Sequence, residues 1–178
     1  MNLITTAPLW LIALLACLLF AAAVEDGWRL RIANLTCLGI ALLALVAIAL
    51  HGGGVPLWQN AAVCAGLLTI GTVGFASGNV GGGDVKLLAA LGLWFSLSGA
   101  MWLLATVFIA GGVLAVVMLS TRSIRSRLAG EGKARRGKIP YGVAIVVGAS
   151  IVMTAQYRGK ETLYDRLHLP PPAAVALS

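Results

Sequence analysis

With 178 residues, 60% of them hydrophobic and only 11% charged, the chain has too little polar surface to enclose a soluble core of its size. It reads as an all-helical polytopic membrane protein. The net charge of +7 comes from Lys and Arg placed between apolar runs, so membrane topology accounts for it and no nucleic-acid partner is implied; contact with membrane lipid is the natural use of any surplus.

In chain order, Leu9 to Val24 is the first apolar run. Leu14-Leu15-Ala16-Cys17 and Ala21-Ala22-Ala23 resemble processing sites, but no Lys or Arg precedes Arg29, so the segment is read as an uncleaved span. A polar stretch of about eight residues that starts at Asp26 and includes Arg29 and Arg31 leads to the second run, Ile32 to Leu50. His51 and three glycines then precede the third, Leu57 to Ala76. A glycine turn, Gly81-Gly82-Gly83-Asp84, opens the next region.

From Leu87 to Leu119 a single straight helix would be roughly 50 Å long, against a hydrocarbon thickness near 30 Å. Ser96, Ser98 and Gly99 mark a break that divides it into a short fourth span and a fuller fifth. After a basic stretch, Ile139 to Gln156 forms the sixth, and residues 1–156 make one domain. Residues 157–178, with Pro170-Pro171-Pro172, read as an external, poorly ordered tail with one short interfacial helix near Glu161 to Leu167.

Ten of the 13 basic residues fall in loops on one face of this six-span arrangement and three on the other. Basic residues in short loops stay cytoplasmic, which puts both termini outside and both Asp26 and Asp84 on the cytoplasmic side. Cys17, Cys37 and Cys64 are scattered in apolar runs, and His51 and His168 lie far from the aspartates, so no metal site and no cofactor are expected.

Two chemistries compete for Asp26 and Asp84. Each aspartate could cap a helix, Asp26 the one leading into the second span and Asp84 the one starting near Val85. Ionisable groups beside the bilayer are costly, however, and two on one face point to a shared site. A close pair holds one proton, so that one carboxylate activates water while its protonated partner polarises a carbonyl. Glu25 is an equal candidate to Asp26 on these grounds alone. The glycine turn lacks the spacing and the Lys-Ser/Thr ending of a phosphate loop. A proton- or ion-coupled transporter and a non-catalytic subunit of a secretion assembly remain as other classes.

Gly81-Gly82-Gly83-Asp84-Val85-Lys86-Leu87 resembles the G-x-G-D-x-K-L signature of type IV prepilin peptidases, whose core is also similar to presenilin-type proteases. Asp26-x-x-Arg29-x-Arg31-Ile32-x-Asn34 is similar to the family's D-x-x-x-R-x-I-P-N element, with Ala33 where the pattern has Pro, and Lys138-Ile139-Pro140-Tyr141-Gly142 is similar to its entry into the last span. The resemblance implies Asp26 and Asp84 as the catalytic pair and Glu25 as a bystander. It implies Gly81, Gly83, Lys86, Arg29 and Asn34 as active-site support, with Tyr141 a further motif match. Larger relatives carry a cysteine-bearing cytoplasmic segment linked to N-methylation, for which the first two spans leave no room here. The implied protein is a peptidase-only enzyme of the bacterial inner membrane, similar to those of Tad/Flp pili. It would cut prepilins or pseudopilins, which have a short basic leader and a hydrophobic helix, at the cytoplasmic border. No oligomeric state is implied.

Overall fold

A computed structural model describes residues 2–50, 57–78, 80–128 and 140–166. The His51 turn, the basic stretch 129–139 and the segment 167–178, and hence the readings placed on them, lie outside the described residues. Seven helices and no strand occur among those described: α1 (Leu3–Thr6), α2 (Leu9–Arg29), α3 (Asn34–Leu50), α4 (Leu57–Ala76), α5 (Gly82–Gly92), α6 (Leu97–Leu128) and α7 (Tyr141–Arg166).

Among the described residues three helices are long and apolar enough to cross a membrane, Leu9–Arg29, Trp58–Ala76 and Leu97–Thr121, and Asn34–Leu50 is a shorter apolar helix. Their outward surfaces carry Phe20, Leu35, Ile70, Phe108 and Ile109 in the open, a band that suits lipid and not water.

The divided region is divided as expected. α5 stops at Gly92, and α6 begins after Ser96, whose Oγ accepts the amide of Gly99 at 3.3 Å and caps the new helix. α5 rises only about 16 Å, running from the α2–α3 turn toward the start of α4. Its first turn is beside Ile32, while the chain just beyond it meets the start of α4 through Asn60 Nδ2, which donates to Leu93 O at 2.8 Å. At that same end Leu3 N donates to Trp94 O at 3.0 Å, and Asn2 reaches Gln156 on α7.

α5 is the central helix, packed on α3, α4 and α7, with Leu87, Ala90 and Leu91 buried. Next to it Trp94 is fully buried with its indole N–H donated to Ile40 O at 3.1 Å. Apolar burial drives helices together weakly when the alternative is lipid, so close backbone approach matters more. Gly92 meets the Cys64 backbone on α4, and Gly148 on α7 meets Val107 on α6, where Thr106 Oγ1 also donates to Gly148 O at 3.2 Å.

Three expectations need correction. α2 does not end at Val24 but runs to Arg29, because its buried stripe Leu11, Leu15, Leu19, Ala22 continues with the same spacing to Asp26. Asp26 therefore sits in the last turn of the first long helix, not at the head of a loop or of α3. α6 continues to Leu128, so Arg122, Arg125 and Arg127 extend a helix instead of starting a loop. α7 continues past Gln156 to Arg166, where the sequence reading began its poorly ordered tail, and Lys160 on that extension donates to Thr5 O, tying it to α1.

Candidate active site

The turn from α2 into α3 is only Leu30 to Ala33. Leu30 closes α2 in the left-handed region, φ 52°, with its amide bonded to Asp26 O at 2.9 Å. A residue with a Cβ pays about 1–2 kcal/mol for that conformation. Neighbouring bonds hold it there: Glu25 Oε2 accepts the Ala33 amide at 2.9 Å, and both Glu25 oxygens accept from Thr36 Oγ1 at 3.1 and 3.2 Å. Glu25 thus caps the start of α3, the role the sequence left open for Asp26. Proline at position 33 could not donate this bond, so the departure at Ala33 goes with a different fastening of the same turn.

Freed from that duty, Asp26 is 5% exposed and turned into the bundle. Its Oδ2 accepts the amide of Val143 at 3.3 Å, and the amide of Gly142 also bonds to it. These are N–H groups of the first turn of α7, which have no partner within their own helix. Asp84 has the matching position on α5, in its first turn, where its carboxylate bonds back to the amide of Gly81. Capping is therefore present at both aspartates, though at α7 and α5. The two carboxylates are also close enough for the charge of Asp26 to act on Asp84.

Three glycines make this closeness possible. A Cβ on Gly81 would lie 2.6 Å from Asp84 Oδ2, and one on Gly83 would lie 3.2 Å from Ile32 Cβ and 3.3 Å from the Ile32 amide nitrogen. A Cβ on Gly142 would lie 2.8 Å from Asp26 Oδ2 and 2.8 Å from Ile32 Cδ1. Ile32, buried, is thus wedged between the glycine turn of α5 and the start of α7. Of the other expected support residues, Lys86 Nζ donates to Asn34 Oδ1 at 2.8 Å, linking α5 to α3 at the exposed rim. Arg29 is exposed in the last turn of α2, where a positive charge suits the helix end. Tyr141 begins α7 and is 43% exposed.

Sequence reasoning passed over Ile32, Cys37 and Gly142 as site residues. Cys37 is buried, with Sγ 3.9 Å from Gly83 O, a weak contact behind the glycine turn. The signal for Gly142 was a glycine one residue into a helix after Pro140, a place where glycine has no helical advantage. Among the described residues no cluster of three or more His, Cys, Asp or Glu is placed to hold a metal ion.

Residues 13–116 match the model of the type IV leader peptidase family. The chain belongs to that family. The matched region holds Asp26, Asp84 and the glycine turn but stops before α7, so the contribution of Gly142 and Val143 to this leader peptidase comes from its structure alone. No curated protein and no solved structure matches the chain. Family membership makes the protein a peptidase with a protein substrate, and its apolar helices make it a membrane protein.

Both Glu25 oxygens are engaged by Ala33 N and Thr36 Oγ1, so Glu25→Gln, which keeps an acceptor oxygen for Ala33 N, should leave cleavage within about twofold. Glu25→Ala removes the cap, worth about 0.5–2 kcal/mol, and should lower the thermal midpoint of the detergent-solubilised protein. Thermal melts and precursor cleavage on both variants check this; a glutamine variant as inactive as one lacking Asp26 would show that Glu25 belongs to the chemistry.

Proposed function

We propose that this leader peptidase is an aspartic endopeptidase in which Asp26 and Asp84 share one proton. One carboxylate takes a proton from the attacking water while the other donates to the scissile carbonyl oxygen, and water is the only co-reactant. The observation that supports the reading is that Asp26 and Asp84, 58 residues apart in sequence, lie near enough for the charge of one to act on the other, with Ile32 against both Gly83 and Gly142 beside them, in a chain of this family. The N-terminal ends of α5 and α7 both point at the pair, and their unpaired amides favour negative charge there. Gly81 and Gly83 let the turn close onto Asp84 and Ile32, which holds the Asp84 carboxylate in place.

The substrate class is a prepilin or pseudopilin of a Tad/Flp-like system, cut between a short basic leader and a hydrophobic helix at the cytoplasmic face of the inner membrane. The four-residue turn between α2 and α3 supports a form without the methyl-transfer segment. Co-expression with such a precursor, followed by mass spectrometry of the mature product, tests this. Cleavage should survive chelation and give a new amino terminus without an added methyl group. Loss of activity on chelation that a metal ion restores would contradict the aspartic mechanism, and a methyl group dependent on this chain alone would contradict the peptidase-only form.

The topology belongs to the same reading. α5 is set off from α6 by the break at Ser96, which supports counting it as a separate crossing of six, and the distribution of basic residues supports cytoplasmic aspartates and outside termini. In a background without native cysteines, Arg31→Cys and Lys133→Cys should label only from the cytoplasmic side and Arg158→Cys only from the outside. Position 133 labelling from the side opposite to position 31 would remove the split between α5 and α6 from the crossing count.

A further inference from the structure

Between α2 and α7 runs a groove of about 550 Å³, lined by apolar side chains for most of its length and ending at Tyr157 and Arg158. Its lining ends at Leu19 and Phe20 on α2 and at Val146 on α7, and the same helix faces lead on toward Asp26 and Val143. Seven residues make nearly two helical turns, so Ile12, Leu19 and Asp26 lie along one line of α2, and Val143, Ser150 and Tyr157 along one line of α7. Ile12, Leu19, Ser150 and Tyr157 line the groove, and the two lines converge on Asp26 and Val143, which are hydrogen-bonded to each other. From Val143 to Tyr157 is about 21 Å, a large part of the bilayer core.

We propose that this groove seats the hydrophobic helix that follows the cleavage point in the substrate, a proposal that rests on the endopeptidase reading above. Alignment with the site favours that occupant, because a helix lying along the groove and continued along the same helix faces brings its own amino-terminal end to Asp26. The size fits one face of a helix. The lined stretch of α7, Val146 to Arg158, is about 18 Å long, enough to seat one face of a helix while its other face stays against lipid. The small residues Ala16 and Ser150 let a second backbone come close, the usual basis of helix pairing in membranes, and Met153 adapts to varied side chains. Ser150 Oγ is satisfied by Val146 O at 2.8 Å, so the wall presents no polar demand to an apolar partner. Tyr157 and Arg158 mark the outer interface, where the seat ends.

The test is photocrosslinking in membranes containing the full chain with Asp26→Asn and a full-length precursor, with benzoylphenylalanine replacing Ala16, Ser150 or, as a control on the lipid-facing side of α6, Phe108. Crosslinks to the precursor helix are expected from positions 16 and 150 and not from 108. Crosslinks to phospholipid alone at 16 and 150, or to the precursor equally from all three, overturn the proposal. Independently, Ala16→Trp in the otherwise unaltered chain should lower the ratio of full-precursor cleavage to cleavage of a short leader peptide without the helix by at least tenfold, while Phe108→Trp leaves that ratio as it was. An unchanged ratio for Ala16→Trp also overturns it. If the unaltered chain cuts neither substrate, the endopeptidase reading fails by that result, and the crosslinks still decide whether the groove holds the helix.

Discussion

Gly142→Ala should reduce precursor cleavage about a hundredfold while the protein remains at normal abundance in the membrane. Helix propensity alone gives the opposite expectation, since alanine is better than glycine inside a helix by about 1 kcal/mol. The added Cβ, however, would lie 2.8 Å from Asp26 Oδ2, 2.9 Å from its Cγ and 2.8 Å from Ile32 Cδ1. Ile32 is already wedged against Gly83, so the carboxylate is the group that moves. Overpacking of this kind costs about 1–3 kcal/mol, which roughly offsets the propensity gain in stability. A displacement near 1 Å at a reacting group costs about 10²-fold in rate, so activity suffers more than folding. Gly27→Ala is the matched control, one residue from Asp26 but with nothing within 4 Å of the new Cβ. Cleavage assays with immunoblots for abundance separate the two; a fully active Gly142→Ala variant would show that the first turn of α7 does not position Asp26.

Local features of this site were legible in the sequence and the tertiary ones were not. The glycine turn with Asp84 and Lys86 is contiguous, so its motif could be read directly, and the break near Ser96 followed from length against bilayer thickness. The end of α2 was misplaced because it stops at a leucine in the left-handed region, without the glycine that usually announces such an end. Capping by Glu25 was missed because its partners, Ala33 and Thr36, lie 8 and 11 residues on, across a turn whose geometry no local pattern gives. Gly142 is needed only because α7 returns to α2 more than a hundred residues later. The bond between Lys86 and Asn34 joins two motif elements whose proximity spacing alone could not establish.

The central claim is that Asp26 and Asp84 act as carboxylates and not only as caps. The capping role is visible in the geometry, since each aspartate accepts a backbone amide at a helix start. Asparagine separates the two roles: its side-chain oxygen still accepts an amide and it ranks among the best capping residues, but it can neither take a proton from water nor share one with its partner. General acid–base function is worth about 10²–10⁴-fold, and each of Asp26→Asn and Asp84→Asn should lose at least that much. Because the residues act as one unit, the double variant should be scarcely worse than either single one. The decisive measurement is the ratio of precursor to mature substrate in membranes where each variant is present at the abundance of the unaltered protein. The account requires unprocessed precursor alone with either variant, whereas substantial mature product from Asp26→Asn or Asp84→Asn at normal abundance would reduce that aspartate to a helix cap and contradict the aspartic mechanism.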